Sequence, residues 1–186
     1  MRLEIPPVSQ TPIDPALLRR ALGAFVTGVT VVTTRTAAGD PVGLTVNSFN
    51  TVSLSPPLVL WSLSLHAASF DAFVQSSHFV VNVLGAQQIS LSERFAATGG
   101  DKFAGVAWRK TLEDMPLLEG TAASFTCRNA HRFPGGDHLI FVGEVVAFER
   151  GARAPLVYAN GGYAELRDDS YAGQSGVISR SAVASR

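Results

Sequence analysis

The chain has 186 residues, 46% of them hydrophobic and 16% charged, with 15 basic residues balanced by 15 acidic ones. That length suits one domain with a full core, and the apolar fraction excludes a wholly disordered chain. A formal net charge of zero, with no basic run interleaved with aromatics, argues against an electrostatic grip on nucleic acid or an anionic membrane.

Residues 1–13 carry Pro6, Pro7 and Pro12 and read as an extended arm, without the apolar stretch of a signal peptide. Asp14-Pro15 fits a helix start, with Asp as N-cap and Pro at the first helical position. Leu17, Leu18, Ala21, Leu22 and Phe25 recur at helical spacing, and Gly28 punctuates the end. Val29–Thr34 is β-branched throughout, Ala38–Pro41 is a turn signal, and Val42–Val46 is the return strand of a hairpin. Asn50–Leu54 and Leu58–Leu65 read as strands separated by Ser55-Pro56-Pro57. The apolar run from Pro57 to Leu65 is broken by Ser62 and Ser64 and falls short of the roughly 20 residues of a membrane span.

Ser69–Gln75 reads as a short helix with a Ser cap, Phe79–Leu84 as a strand, and Ala86–Phe95 as a helix. Asp101–Gly105 fits one helical turn. The final third is mainly strand: Ala123–Arg128, His138–Phe148 and Pro155–Tyr158, then a tight turn at Asn160-Gly161-Gly162 into Tyr163. From Asp168 the chain is rich in Ser, Ala, Gly and Arg and reads as a tail, 168–186. Many short strands with brief helices between them predict a mainly β domain over 14–167, an antiparallel barrel rather than a sandwich. The single cysteine, Cys127, allows no internal disulfide, which fits a reducing cytoplasm.

No P-loop, Rossmann fingerprint, nucleophile elbow or structural zinc spacing is present. Thr45, Asn47, Ser48, Asn50, Thr51 and Ser53 sit among strand-forming residues. They are either hydrogen-bonding partners for a flat heterocycle or the wet face of a strand pair. Ser69 at a helix start is either an anion site or an ordinary cap. Arg94 at a helix end either answers the dipole or pairs with a phosphate while Phe95 packs on a ring. His66 and His78 carry no assigned role, and His131 falls in a polar loop beside Arg132. His138 follows the Gly135-Gly136-Asp137 turn and opens an apolar strand, so it either faces a cavity mouth or is structural. Cys127 reads as core.

Together, the segments Ala24–Thr33, Gly43–Phe49, Val52–Val59, Phe79–Leu84, Arg94–Ala96, Asp101–Phe103, Pro116–Leu118 and Gly136–His138 carry a resemblance. In their order and spacing the chain, from about Leu17 to Leu166, resembles the short-chain flavin reductase family, 4-hydroxyphenylacetate 3-monooxygenase reductase-like. That resemblance implies a split β-barrel of the FMN-binding type, a homodimer, and reduction of FMN or FAD by NADH or NADPH. The reduced flavin would leave for a separate oxygenase component. Carried over by motif, Thr45, Val46, Asn47, Ser48 and Phe49 would line the isoalloxazine ring, and Ser62, Leu63 and Ser64 would continue that wall. Ala68 and Ser69 would meet the ribityl or phosphate part, and Arg94 and Phe95 the phosphate or adenosine end. His138, the catalytic candidate, would touch the nicotinamide, with Tyr163 near the same mouth. Several members of that family carry Lys or Arg where this chain has Ala68, which makes Arg94 the expected phosphate cation and leaves FMN and FAD both open. Because the cofactors carry the hydride chemistry, no acid/base pair is needed. A non-catalytic flavin-binding or electron-carrier barrel is the alternative; the Gly136-Asp137-His138 turn favours the enzyme.

Overall fold

A computed structural model describes residues 13–164 and 166. The expected arm up to residue 12 and the expected tail 168–186 lie outside the described residues. The chain order is α1 (Pro15–Leu22), β1 (Thr27–Gly28), β2 (Thr30–Arg35), β3 (Pro41–Val46), β4 (Asn50–Leu54) and β5 (Pro57–Ser64). Then come α2 (Phe70–Gln75), β6 (His78–Val83), α3 (Ile89–Ala96), β7 (Trp108–Lys110) and β8 (Pro116–Leu118). The long hairpin of β9 (Ala123–Gly135) and β10 (His138–Arg150) is followed by β11 (Val157–Ala159) and β12 (Gly162–Ala164).

Helix α1 starts as its sequence dictates. The Asp14 carboxylate accepts from the amides of Ala16 (2.8 Å) and Leu17 (3.4 Å), and Pro15 needs no amide partner. It ends at Leu22, before Phe25, and buries none of its residues. Helix α3 begins at Ile89 rather than Ala86. There the Gln88 side chain accepts from the Gly85 amide (2.8 Å) and the Gln88 amide donates to the Gly85 carbonyl (2.8 Å), so 85–88 is a turn.

Seven antiparallel strands form a ladder in the order β3-β2-β6-β9-β10-β5-β4. Its two edges, β3 and β4, are consecutive in the chain, with only residues 47–49 between them. The Ser48 hydroxyl spans the seam, accepting from the Ser62 amide (3.0 Å) and donating to the Ser62 carbonyl (3.3 Å) of β5. The ladder therefore curls until its edges nearly meet, which is the expected split barrel. Alternation in β5 sends Val59, Trp61 and Leu63 inward. There they meet Val32, Phe73, Phe79, Val81, Cys127 and Phe141. Trp61 stacks on Phe141 with ring centroids 4.8 Å apart. A Cβ on Gly143 would collide with Phe79, so glycine is required where β10 crosses that ring.

A second apolar cluster lies on the outer face: Val29, Val31, Leu84, Phe95, Phe103, Leu118 and Leu156. Buried Asn82 stitches β8 to it, donating to the Val31 carbonyl (3.0 Å) and accepting from the Leu118 amide (2.9 Å).

Some elements differ from the sequence expectation. Strand β9 runs on to Gly135, so His131, expected in a loop, pairs with Val142 of β10. Residues 131–135 are exposed, so no apolar alternation marks that stretch as strand. Strands β7 and β8, three residues each, are too short to show a period. Ser69 stands at the α2 N-cap but makes no capping bond, and 102–105 is a turn whose Asp101 carboxylate accepts from the Phe103 amide (3.0 Å). Among the described residues no helix is long and apolar enough to cross a membrane.

Candidate functional site

A cleft of about 570 Å³ opens along β3. Its walls are β3 itself, the β5–α2 link at His66–Ser69, and the segment Phe95–Phe103 that follows α3. Among the described residues strand β3 pairs only with β2, which leaves the backbone N–H and C=O groups of its other edge without a strand partner there. Leu44 and Val46 pack against the inner core, which turns Gly43 and Thr45 outward under α3. A Cβ on Gly43 would lie 2.8 Å from the Phe95 ring, so α3 seats directly on the strand. The Thr45 hydroxyl donates to the Ser92 carbonyl (2.6 Å), and Tyr163 donates to the Ser92 hydroxyl (3.0 Å). One α3 residue thus fixes both side chains.

Of the residues expected from the sequence, Thr45, Ala68, Ser69 and Phe95 line this cleft. Val46, Asn47 and Tyr163 line an adjoining pocket of about 230 Å³ that shares Thr45 with it. Ser48 and Ser62 are joined at the seam. Phe49 turns into the barrel and stacks on Phe125 at 5.7 Å. Leu63 is wholly buried in the inner core, so only its backbone is available to a ligand. Phe95 is 1% exposed and edge-on to Phe103 at 5.0 Å, so it forms a floor rather than a free stacking ring. Arg94 is exposed, and its guanidinium donates to the Ala104 carbonyl (2.6 Å) without lining the cleft.

His138 opens β10 opposite Ser64 of β5. The Leu65 amide donates to the Asp137 carbonyl (3.0 Å), fastening the 135–138 turn to the end of β5 beside His66. His138 Nδ1 lies 2.7 Å from Asp137 Oδ1. That hydrogen bond, and then the charge of His138, hold the Asp137 carboxyl below the usual carboxylate range. Because a carboxylate only accepts, Nδ1 carries the hydrogen and Nε2 of the neutral ring is left as an acceptor.

Two cleft residues had no role in the sequence reading. His66 is the first ionisable residue after an uncharged run from Pro41 to Leu65, and it lines the wall between β5 and α2. Lys102 follows an uncharged stretch from Phe95 to Gly100 with only Asp101 between, and its Nζ donates to the Phe95 carbonyl (2.9 Å). Burial pushes its ammonium below the usual lysine range. An ionisable side chain ending a long uncharged run was the available signal for His66, and a weaker one for Lys102, which stands beside Asp101.

Residues 22–167 match the flavin reductase like domain, and the chain belongs to that family. It is 46% identical over 145 residues to the FMN reductase (NADH) SmoA of Agrobacterium fabrum, covering 78% of this chain and 82% of that one. It is 41% identical over 146 residues to the reductase component of the flavin-dependent trigonelline monooxygenase of Acinetobacter baylyi, covering 78% of this chain and 47% of that one. The chain spans about half the length of some of the curated relatives it matches, this one included. Its fold superposes with a TM-score of 0.80 on the NADH:FAD oxidoreductase SgcE6 of Streptomyces globisporus in complex with NAD and FAD fragments. That structure is 38% identical and covers 86% of this chain and 99% of its own.

Proposed function

We propose that the protein is an NAD(P)H:flavin oxidoreductase that reduces FMN or FAD and supplies the reduced flavin to a separate oxygenase component. The observation that carries this reading is the free edge of β3 opening on a cleft with an apolar floor and a lysine in its wall. The names of the relatives support it: an NADH-dependent FMN reductase, an NADH:FAD oxidoreductase and a monooxygenase reductase component.

The residues present fit a flavin. Unpaired backbone groups of β3 suit the alternating donors and acceptors on the rim of a flat heterocycle. Phe95 and Phe103 give an apolar wall, and the uncapped Ser69 hydroxyl and Lys102 ammonium suit the polar tail. A bound flavin supplies the acceptor for the hydride of a nicotinamide, which leaves the protein to bind, orient and exclude water. Thr45, held by Ser92, keeps the strand edge in a single arrangement. Asp137 fixes the His138 ring so that Nε2 is presented as an acceptor, which suits the carboxamide N–H of a nicotinamide. Gly136, at φ +69°, lets the chain reverse tightly enough to place that histidine at the end of β5.

The same reading has one reductase domain, 14–167, acting as a homodimer in the cytoplasm. Leu17, Leu22 and Phe25 are 63%, 65% and 74% exposed, an apolar surface that a second copy would cover. The test is an air-free absorbance assay with each pairing of FMN or FAD and NADH or NADPH. Protein-dependent bleaching of the oxidised flavin band is expected with at least one pairing. Flavin binding without bleaching by either nucleotide would overturn the enzyme in favour of a carrier.

A further inference from the structure

Lys102 stands in the cleft with a carbonyl as its partner. Its Nζ donates to the Phe95 carbonyl at 2.9 Å, which uses one of three N–H donors. Among the described residues no carboxylate pairs with it. Its neighbour Asp101 accepts from the Phe103 amide instead. The bond to Phe95 has a structural use, since a cation near the last turn of α3 answers the helix dipole. That use leaves two donors, on a group that lines the cleft and is partly withdrawn from water.

The surroundings leave room for an anion beside it. Gly99 and Gly100, at φ +77° and +73°, form the adjacent turn, and a Cβ on either would meet nothing within 4 Å. Ser69 lines the same cleft with a hydroxyl not used in capping α2. Arg94, the cation expected from the sequence, is committed to the Ala104 carbonyl and lies off the wall.

We infer that Lys102, and not Arg94, reads the phosphate of a phosphorylated flavin, so that FMN is selected over riboflavin. This rests on the flavin reductase reading. An ammonium is a compact point charge with rotatable donors, and it pairs strongly with a phosphate dianion where water is partly excluded. Riboflavin shares the ring and ribityl chain and lacks only the phosphate, so the ratio of the two affinities isolates this contact.

The test is flavin fluorescence titration of the full chain with FMN and with riboflavin, for the wild type, Lys102→Gln, Lys102→Arg and Arg94→Gln. The wild type should bind FMN about tenfold or more tighter than riboflavin, the scale of one charge-assisted hydrogen bond. Lys102→Gln should bring the two affinities within about threefold while riboflavin binding stays as in the wild type, and Lys102→Arg should keep most of the preference. Equal weakening of both flavins in Lys102→Gln would make Lys102 structural and overturn the inference. Loss of the preference in Arg94→Gln, with Lys102→Gln unaffected, would overturn it too. A wild type that binds riboflavin as tightly as FMN contradicts the inference alone, whereas a wild type that binds neither contradicts the flavin reading itself.

Discussion

Asp137 and His138 are sequence neighbours whose side chains face each other, Oδ1 to Nδ1 at 2.7 Å, on a turn tied to the end of β5. Neighbouring residues in a strand point to opposite faces, so the contact exists because the turn ends there. Asp137→Asn should therefore raise KM for the nicotinamide nucleotide several-fold while flavin Kd stays within about twofold. The pH dependence has a definite sign. The carboxyl is held below its ordinary range, so the contact is complete above the ordinary carboxylate pKa and is lost as pH falls through the lowered one. The wild-type KM should show a further rise as pH falls through the lowered carboxylate range, and the Asn variant should lack that step. Steady-state kinetics across the acid range check both.

Gly43 meets the Phe95 ring where α3 sits on β3. Gly43→Ala would place its Cβ 2.8 Å from the ring and 3.1 Å from Thr33 Cγ2. Overpacking of this kind costs roughly 1–3 kcal/mol. A lower thermal midpoint together with weaker flavin binding is expected, because the same shift disturbs the strand edge. Unchanged flavin affinity in a destabilised Gly43→Ala protein would separate the α3 contact from the site.

How far the sequence revealed the molecule depends on where each residue's partners lie. The Asp14 cap and the strand over Leu58–Leu65 were legible because a cap and a run of strand-forming residues are local patterns. The order of strands was not, since β2 beside β6, and β5 beside β10, follow from how the sheet curls to bury both faces of the core. Thr45 and Ser69 were found by composition and do line the cleft. Leu63 and Phe95 were carried over from other motifs, yet one is wholly buried and the other is a floor, because a motif fixes no side-chain direction until its strand or helix is packed. Lys102 was legible only as the middle of the Asp101–Phe103 motif, with no role, because its partner, the Phe95 carbonyl, belongs to the preceding helix.

Leu63 and Ser62 are adjacent in β5 and face opposite ways, which gives a stability contrast. Leu63→Ala removes a fully buried side chain and should cost about 2–5 kcal/mol. Ser62→Ala leaves the Ser48 bonds to the Ser62 backbone in place and should cost under about 1 kcal/mol. Urea unfolding of both variants checks the inward assignment.

Cys127 is sealed in the inner core, and burial pushes its thiol up. The native protein should resist thiol reagents at pH 8 and react once unfolded. Because the folded thiol keeps its proton where the unfolded one loses it, its contribution is complete below the ordinary thiol pKa and declines as pH rises above it. The stability advantage of the wild type over Cys127→Ala should therefore shrink in alkali, which chemical denaturation at stepwise higher pH would measure.

A flavin bound along the free edge of β3 would be seen directly in a crystal structure of the chain soaked with FMN. The ring is expected against the backbone of residues 43–47 with its tail running toward Ser69 and Lys102. Ring density instead in the separate pocket of about 390 Å³ lined by Phe125, Phe148 and Arg153 would contradict it.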